Sequence, residues 1–302
     1  MGVYQLAQTV GPRGYKTLAD QSKKQNRAGG SDFMKITFHG VRGSVPVSGP
    51  KFSKYGGHTS CLEICTNDVQ LIIDAGSGFQ NVKLLEDRPL LLVFSHFHHD
   101  HIQGLAFNPD LLKQKREIFL ASALCDAETL QNNLKNYFHG AYFPIDLIEV
   151  KDKFVFCDFE KLTQRSSANL KISSMPMNHP GGCAAYKIEI DGTQICTLFD
   201  NEFEASQLQQ LCDFVTGSEL VIWDGMFLDE EMPSRRGWGH SSIEEGLRFF
   251  EALGDESTEL QLAITHHAPA RTDSELDHLQ SDLLTDGVFI ARENQVVELN
   301  SK

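Results

Sequence analysis

Short apolar runs alternate with longer helical patterns along most of the chain. Runs with the apolar, β-branched character of buried strands lie at Met34–His39, Cys61–Cys65, Leu71–Asp74, Leu90–Phe94, Ile118–Leu120, 170–174, 184–190, 194–199, 219–223 and 260–264. Helical apolar spacing occurs over 103–114, 126–137, 204–213, 242–253 and 273–284. Ser241 or Ser242, ahead of two glutamates, predicts the start of the fourth helix. Because the strands form two groups accompanied by helices, we predict an α/β fold in which two sheets pack face to face under helices.

The first 32 residues differ in composition from the rest. They contain few aromatic or β-branched residues, are rich in Gln, Lys and Gly, and end in Gly29-Gly30-Ser31. Such a segment offers too little apolar surface to offset the entropy of ordering it. We therefore predict a polar, flexible N-terminal extension over residues 1–32 and one globular domain over residues 33–302.

The composition indicates the kind of protein and the cellular compartment to expect. The chain has 302 residues, of which 41% are hydrophobic and 23% charged, and this is enough apolar material for one large core. It has no run of about 18 apolar residues, so no transmembrane span is predicted. It also lacks an apolar secretory signal, and its seven cysteines show no paired spacing. We predict a cytoplasmic protein with reduced thiols.

The net charge indicates which kinds of partner the chain is expected to bind. A net charge of −14 opposes a large, sequence-independent contact with nucleic acid. We therefore expect a small-molecule partner and no membrane contact, with nucleic acid as a less favoured alternative. The sequence is compatible with a homodimer.

A dense cluster of metal-binding residue types follows the apolar run Leu90–Phe94. It comprises His96, His98, Asp100 and His101, in the pattern H-x-H-x-D-H. His96 and His98 alternate as in a strand and project to one side, whereas His99 points away from them. Asp100 and His101 lie on the following turn, where they can serve a second ion. Imidazole and carboxylate suit zinc, manganese and iron, so we predict two divalent ions, zinc foremost.

The remaining ligands are expected at later strand ends, because one loop cannot complete two ion sites. His179, Asp200 and His266 each follow an apolar run. Taken singly, each is typical of a turn or capping residue, but together they complement the first cluster. The predicted ligand set is His96, His98 and His179 for one ion, Asp100, His101 and His266 for the other, and Asp200 as the bridge.

This ordered series resembles the metal motif of the metallo-β-lactamase superfamily, over about residues 34–301. The resemblance implies an αββα sandwich with the site at one edge. Segments 40–44, 55–61 and 71–78 resemble motifs of its phosphodiesterase branch, which includes transfer-RNA 3′-end endonucleases and cyclic-phosphate phosphodiesterases. Asp74 would there orient the histidine loop. Asp200 fits the hydrolase branches, since true β-lactamases commonly carry Cys at that place.

A later segment resembles the acidic-residue-plus-histidine loop of those endonucleases. It consists of Asp224 in Trp223–Met226 and His240 in Gly237–Ser242. The resemblance implies that His240 reaches the scissile phosphate. A histidine beside two ions can give a proton to the leaving oxygen, and Asp224 can fix its tautomer. The alternative is that His240 only begins the helix over 242–253.

The sequence therefore predicts a dinuclear metal-dependent phosphodiesterase acting on a small cyclic nucleotide or cyclic phosphate. A metal-bridging hydroxide would attack phosphorus, with Asp100 orienting it and His240 assisting the leaving group. The main alternative is a thioester or lactone hydrolase of the same fold. A transfer-RNA 3′-end endonuclease is less favoured, because the chain is acidic and lacks a long basic insertion. A non-catalytic metal-binding protein is less favoured still, because the ligand set is complete.

The sequence leaves the roles of several conspicuous residues open. Arg235 and Arg236 either bind phosphate or form a solvated turn. His58 stands where we expect Asn in many relatives, and His267 is a substrate contact at most. The aromatic group Phe138, Tyr142 and Phe143 forms either an apolar wall for a base or, more simply, part of the core.

Overall fold

A computed structural model describes residues 33–111, 113–150, 152–166, 168–254, 259–283 and 285–300. The strands are β1 Phe33–Gly40, β2 Cys61–Cys65, β3 Gln70–Ile73, β4 Leu90–Phe94, β5 Ile118–Ser122, β6 Phe154–Phe156, β7 Leu170–Met177, β8 Cys183–Ile190, β9 Thr193–Leu198, β10 Leu220–Asp224, β11 Gln261–Thr265, β12 Val288–Ile290 and β13 Val296–Asn300. The α-helices are α1 His99–Ile102, α2 Ala127–Tyr137, α3 Leu147–Val150, α4 Leu208–Val215, α5 Ile243–Ala252 and α6 Asp273–Asp282. The predicted extension over residues 1–32 lies outside the described residues.

The strands form two sheets, in the orders β13-β1-β2-β3-β4-β5-β6 and β12-β11-β10-β9-β8-β7. Strands β3 to β6 run parallel to one another, and so do β9 to β12. The parallel strands bury both faces, which explains why β4 and β10 are continuous apolar runs rather than alternating ones. Strand-end residues of the parallel halves therefore gather at one edge of each sheet.

Three apolar layers hold the fold together. The middle layer joins the two sheets through residues such as Ile36 and Leu62 on one side and Ile188 and Ile222 on the other. The outer layers contain α2 against the first sheet, and α4, α5 and α6 against the second. The order helix, sheet, sheet, helix confirms the predicted αββα sandwich.

The two sheets are also linked directly beneath the site. The Tyr186 hydroxyl of β8 donates to the Phe94 carbonyl at the end of β4, at 2.7 Å. The backbone N–H of Ala184 donates to the Ser95 carbonyl at 3.0 Å. These bonds hold the histidine loop, which follows β4 and carries His96 to His101, in a fixed position against the second sheet. The residues that the two sheets contribute to the site therefore have fixed positions relative to one another.

All ten predicted strands are present, but the helix predicted over 103–114 is wrong in the described residues. Leu105–Phe107 forms a short 3₁₀ turn, and Pro109 disfavours helical backbone at Asn108. Asn108 instead donates to the carbonyls of Phe79 and Val82. The predicted start of α5 is confirmed: Ser242 and Glu245 form a reciprocal capping box. Among the described helices, none has the length and apolar character needed to cross a bilayer.

Candidate metal centre

Four loops at the shared edge bring the predicted ligands together. The histidine loop follows β4, His179 follows β7, Asp200 follows β9, and His266 follows β11. Asp200 and His266 have positive backbone φ angles of 39° and 58°. Non-glycine residues rarely adopt this conformation, and it recurs at functional sites where the surrounding structure enforces it.

The first group consists of His96, His98, His179 and Asp200, with one potential ligand atom from each lying within 4.8 Å of all the others. His179 Nε2 and His98 Nδ1 are 3.0 Å apart. Asp200 Oδ2 lies 3.4 Å from His96 Nε2 and 3.6 Å from His179 Nε2. His98 is the exposed member, so an ion held here would be reachable from solvent.

The second group consists of Asp100, His101 and His266. Asp100 Oδ2 is 3.5 Å from His101 Nε2 and 3.8 Å from His266 Nε2. The other oxygen of Asp200, Oδ1, lies 3.4 Å from nitrogens of both histidines. Asp200 thus directs one oxygen at each group.

Unpartnered buried atoms show that this donor set fits metal ions. His96 Nε2, His101 Nε2, His266 Nε2 and Asp200 Oδ1 are buried without a hydrogen bond. Polar atoms taken from water without a partner are costly, and native structures rarely leave several together. Imidazole nitrogens and carboxylate oxygens converging in this way are the ligands of zinc and related divalent ions. The cluster can therefore hold a divalent metal.

Burial and neighbouring charges shift the pKa values of several of these groups toward the protonation states that bind metal. Burial holds the pKa of His96 well below its usual value, which keeps that imidazole neutral. Burial alone would raise the pKa values of Asp100 and Asp200. The neighbouring histidines outweigh that effect, and both carboxyl pKa values are lowered. Ligation requires neutral imidazole and ionised carboxylate; the surroundings of His96 favour the first, and those of Asp100 and Asp200 the second.

Asp74 fixes the orientation of His101. His101 Nδ1 donates to Asp74 Oδ2 at 2.7 Å, which leaves Nε2 directed at the cluster. Asp74 also accepts from the Ser95 N–H and hydroxyl, each at 2.7 Å. Asp74 therefore anchors the histidine loop and orients the predicted ligand His101.

The glycine-rich segments pack against the ligands. His179 Nδ1 donates to the Gly239 carbonyl at 2.8 Å, and a Cβ at Gly239 would lie only 2.3 Å from that nitrogen. A Cβ at Gly43 would lie 2.4 Å from the His266 ring. The Ser44 N–H donates to Asp100 Oδ2 at 2.7 Å. These close approaches explain why glycine occupies positions 43 and 239.

Residues outside the predicted set hold the loops in place. The Glu202 carboxylate accepts from the N–H groups of Gly237 and Gly239, at 2.7 and 3.0 Å. Buried Arg42 donates to the carbonyls of Gly56, Ala268 and Arg271. Neither role has a recognisable sequence pattern, apart from the position of Glu202 two residues after Asp200.

His240 borders both groups: its ring lies 5.3 Å from that of His179 and 5.0 Å from that of His266, centroid to centroid. Its Nδ1 donates to Asp224 Oδ2 at 2.8 Å, and its ring stacks on that of His266 with centroids 5.0 Å apart. Burial lowers the pKa of His240, but the charge of Asp224 and its hydrogen bond raise it to about 9. One potential ligand atom each of His240, Asp200 and His266 lies within 4.8 Å of the other two.

Other conspicuous histidines lie away from the cluster. His99 is exposed and packs on Tyr137, as expected. His267 is buried and its Nε2 donates to the Ala291 carbonyl at 2.7 Å. His58 contacts Ser77 and Gln80.

The aromatic residues Phe138, Tyr142 and Phe143 differ in burial. Phe138 is fully buried and packs on Phe143, as expected for a core residue. Tyr142 is 83% exposed and does not belong to the core.

Comparison with known proteins identifies the arrangement. A family model described as a beta-lactamase superfamily domain matches residues 70–267, which is more than half of the chain. The metallo-beta-lactamase fold protein YhfI from Bacillus subtilis is similar in structure, with a TM-score of 0.63, 19% identity, and coverage of 89% of this chain and 100% of that chain. No curated protein sequence gives a significant match.

Two further solved structures share the fold. A diphosphatase from the PhnP family has a TM-score of 0.61 and 14% identity, covering 89% of this chain and 98% of that chain. The short form of human tRNase Z has a TM-score of 0.56 and 16% identity, covering 87% and 98%. At these identities the likeness concerns the fold.

Proposed function

This chain belongs to the beta-lactamase superfamily, and we propose that it is a metal-dependent hydrolase of a small phosphodiester, namely a cyclic nucleotide or cyclic phosphate. The observation that carries the proposal is the His240–Asp224 pair, hydrogen bonded at 2.8 Å at the border of the ligand cluster. An alkoxide expelled from phosphorus needs a proton, and a histidine placed beside the cluster can supply it.

The proposal assigns two ions to the cluster, zinc foremost and manganese or iron as alternatives. His96, His98 and His179 would hold one ion, Asp100, His101 and His266 the other, and Asp200 would bridge them. When bound, such ions lower the pKa of water to supply a nucleophile at neutral pH and neutralise phosphoryl oxygens. The unpartnered nitrogens and the two-sided placement of Asp200 support this assignment.

Asp100 and His240 carry the proton chemistry in this proposal. The Ser44 N–H fixes Asp100 Oδ2 at 2.7 Å, so this carboxylate can orient the nucleophile while it serves as a ligand. Asp224 holds the Nδ1 proton of His240 and leaves Nε2 to face the substrate. Despite burial, the charge of Asp224 and its hydrogen bond raise the pKa of His240, which favours the protonated ring that a general acid requires.

Thioester or lactone hydrolysis is the second candidate, because the same nucleophile can attack carbon. The His240–Asp224 pair favours phosphorus, since a thiolate leaves without prior protonation. A transfer-RNA endonuclease is disfavoured by the net charge of −14. A non-catalytic role is disfavoured by the full set of convergent ligand atoms.

A substrate panel with zinc-loaded protein tests the proposal. The panel holds a bis(p-nitrophenyl) phosphate ester, 2′,3′- and 3′,5′-cyclic nucleotides, a thioester and a lactone. We expect kcat/KM to be highest for a phosphodiester and activity to be abolished by chelation. Preferential thioester or lactone turnover would contradict it.

A further inference from the structure

A layer of side chains leads outward from His240 to the surface. The Phe227 ring lies 6.1 Å from His240 and 6.3 Å from Trp238, centroid to centroid. The Arg235 guanidinium lies 4.7 Å from the Trp238 ring centroid and 5.6 Å from that of Phe227. The Phe227 ring thus connects His240 to the exposed indole of Trp238.

Arg235 differs from the neighbouring arginines in its partners. Arg236, Arg248 and Arg271 each lie within ion-pair distance of a carboxylate, namely Glu245, Asp229 and Glu231. In the described part of the chain, no carboxylate pairs with Arg235, and its Nε is buried without a hydrogen bond. In a chain of net charge −14, an unpaired guanidinium that contacts the ring next to His240 can attract an anionic substrate.

Trp238 is placed for stacking on a ligand. It is 55% exposed, whereas the chain's other tryptophan, Trp223, is 1% exposed. Arg235 covers one face of the indole, and the exposure leaves room on the other. The backbone on both sides is fixed by Glu202, which accepts from Gly237 and Gly239. An exposed, positioned indole suits a planar aromatic ligand, because aromatic stacking gives affinity without requiring a particular base.

We propose that Trp238 and Arg235 form the platform that binds the base of a nucleotide substrate. This inference rests on the proposed phosphodiesterase function, since it places the base beside a phosphate held at the cluster. Trp238 stacks on the base, and Arg235 holds the indole from behind and contributes positive charge. The substrate class is therefore a nucleotide ester rather than a cyclic phosphate lacking a base.

Intrinsic fluorescence provides a test that needs no turnover. AMP should quench the emission of zinc-loaded protein, and ribose 5-phosphate should not. Quenching should vanish in Trp238→Phe, in which only Trp223 emits, buried and stacked on Phe249. Absence of quenching by millimolar AMP, or equal quenching in Trp238→Phe, would overturn the platform.

Kinetics provide a second test, with a cyclic nucleotide compared against methyl riboside 2,3-cyclic phosphate, which lacks the base. Trp238→Ala should raise KM for the nucleotide about 10-fold or more. Arg235→Ala should raise it about 2- to 5-fold. Trp238→Ala should change kcat/KM for the base-free ester no more than about 2-fold. Arg235→Ala should lower kcat/KM for both esters by a similar small factor through the lost charge, and its additional effect on KM should be confined to the nucleotide. The control Arg248→Ala removes a paired arginine and should leave both substrates unaffected. Trp238→Phe keeps a ring and should retain part of the affinity, with melting curves confirming folding.

The two proposals fail separately. Equal losses of Trp238→Ala on both esters would overturn the platform while leaving phosphodiester hydrolysis intact. Quenching by AMP through Trp238, in a protein that hydrolyses no phosphodiester, would support the platform and contradict the proposed activity.

Discussion

Asp74 and His101 are joined by a 2.7 Å hydrogen bond in the fully buried base of the ligand cluster. The bond fixes the tautomer of His101, because the carboxylate accepts the Nδ1 proton and leaves Nε2 as the lone-pair nitrogen. Burial would lower the pKa of His101, but the surrounding carboxylates raise it. A cation at Nε2 would take the place of that proton, so metal binding and proton release are coupled here.

Weakening this bond should weaken metal binding. We expect Asp74→Asn to lower zinc affinity about 10- to 100-fold, because the amide holds the imidazole less firmly. Asn tolerates the positive φ of 62° at this position. Competition with a chromophoric chelator measures the affinity. Asp191→Asn is the matched control, an exposed turn residue with a φ of 51°. Equal affinity in both variants would remove the orienting role.

His240→Ala tests the leaving-group role. We expect turnover of a cyclic nucleotide to fall about 10²–10⁴-fold, because a positioned acid no longer protonates the leaving oxygen. The loss should be smaller for a p-nitrophenyl phosphodiester, whose leaving group needs little protonation. Asp224→Asn should act in the same direction but more mildly, since it orients the ring.

Metal content distinguishes the outcomes for His240. We expect the Ala variant to retain both ions. Loss of an ion would make His240 a ligand, which its distance to Asp200 and His266 allows. Equal loss of rate on both esters would remove the general-acid role. An unchanged rate on both would leave His240 as a residue that only precedes α5.

Deleting residues 1–32 should leave the hydrolase domain stable and active. The segment has no apolar periodicity with which to join the core. Thermal melting of the shortened chain should give a Tm within about 5 °C of the full chain. A larger drop, equivalent to well over about 1 kcal/mol for a domain of this size, would show that the segment contributes to the fold.

Local pattern predicted most of the fold because most strands here are continuous apolar runs. Strands β6, β12 and β13 were missed, since they are short or mostly exposed and pair at or near sheet edges. The prediction of a helix over 103–114 is wrong because Pro109 disfavours helical backbone there. The spacing of the apolar residues in this segment fits a helix and does not reveal that effect.

The candidate ligands could be predicted because each stands at a strand end, where α/β folds place their sites. The residues that hold them could not be predicted. Ser44 lies 56 positions before Asp100, and Gly239 lies 60 positions after His179. Such contacts depend on how loops from the two sheets pack together. Residues so far apart in the sequence cannot be paired from a local sequence pattern.

Metal stoichiometry tests the central claim most directly. The purified chain should be reconstituted with zinc, desalted and analysed for metal and protein in the same sample. The account predicts close to two ions per chain, with hydrolysis lost on chelation and restored by zinc. A content that stays near one ion per chain after reconstitution would contradict the two-ion site and, with it, the bridging role of Asp200.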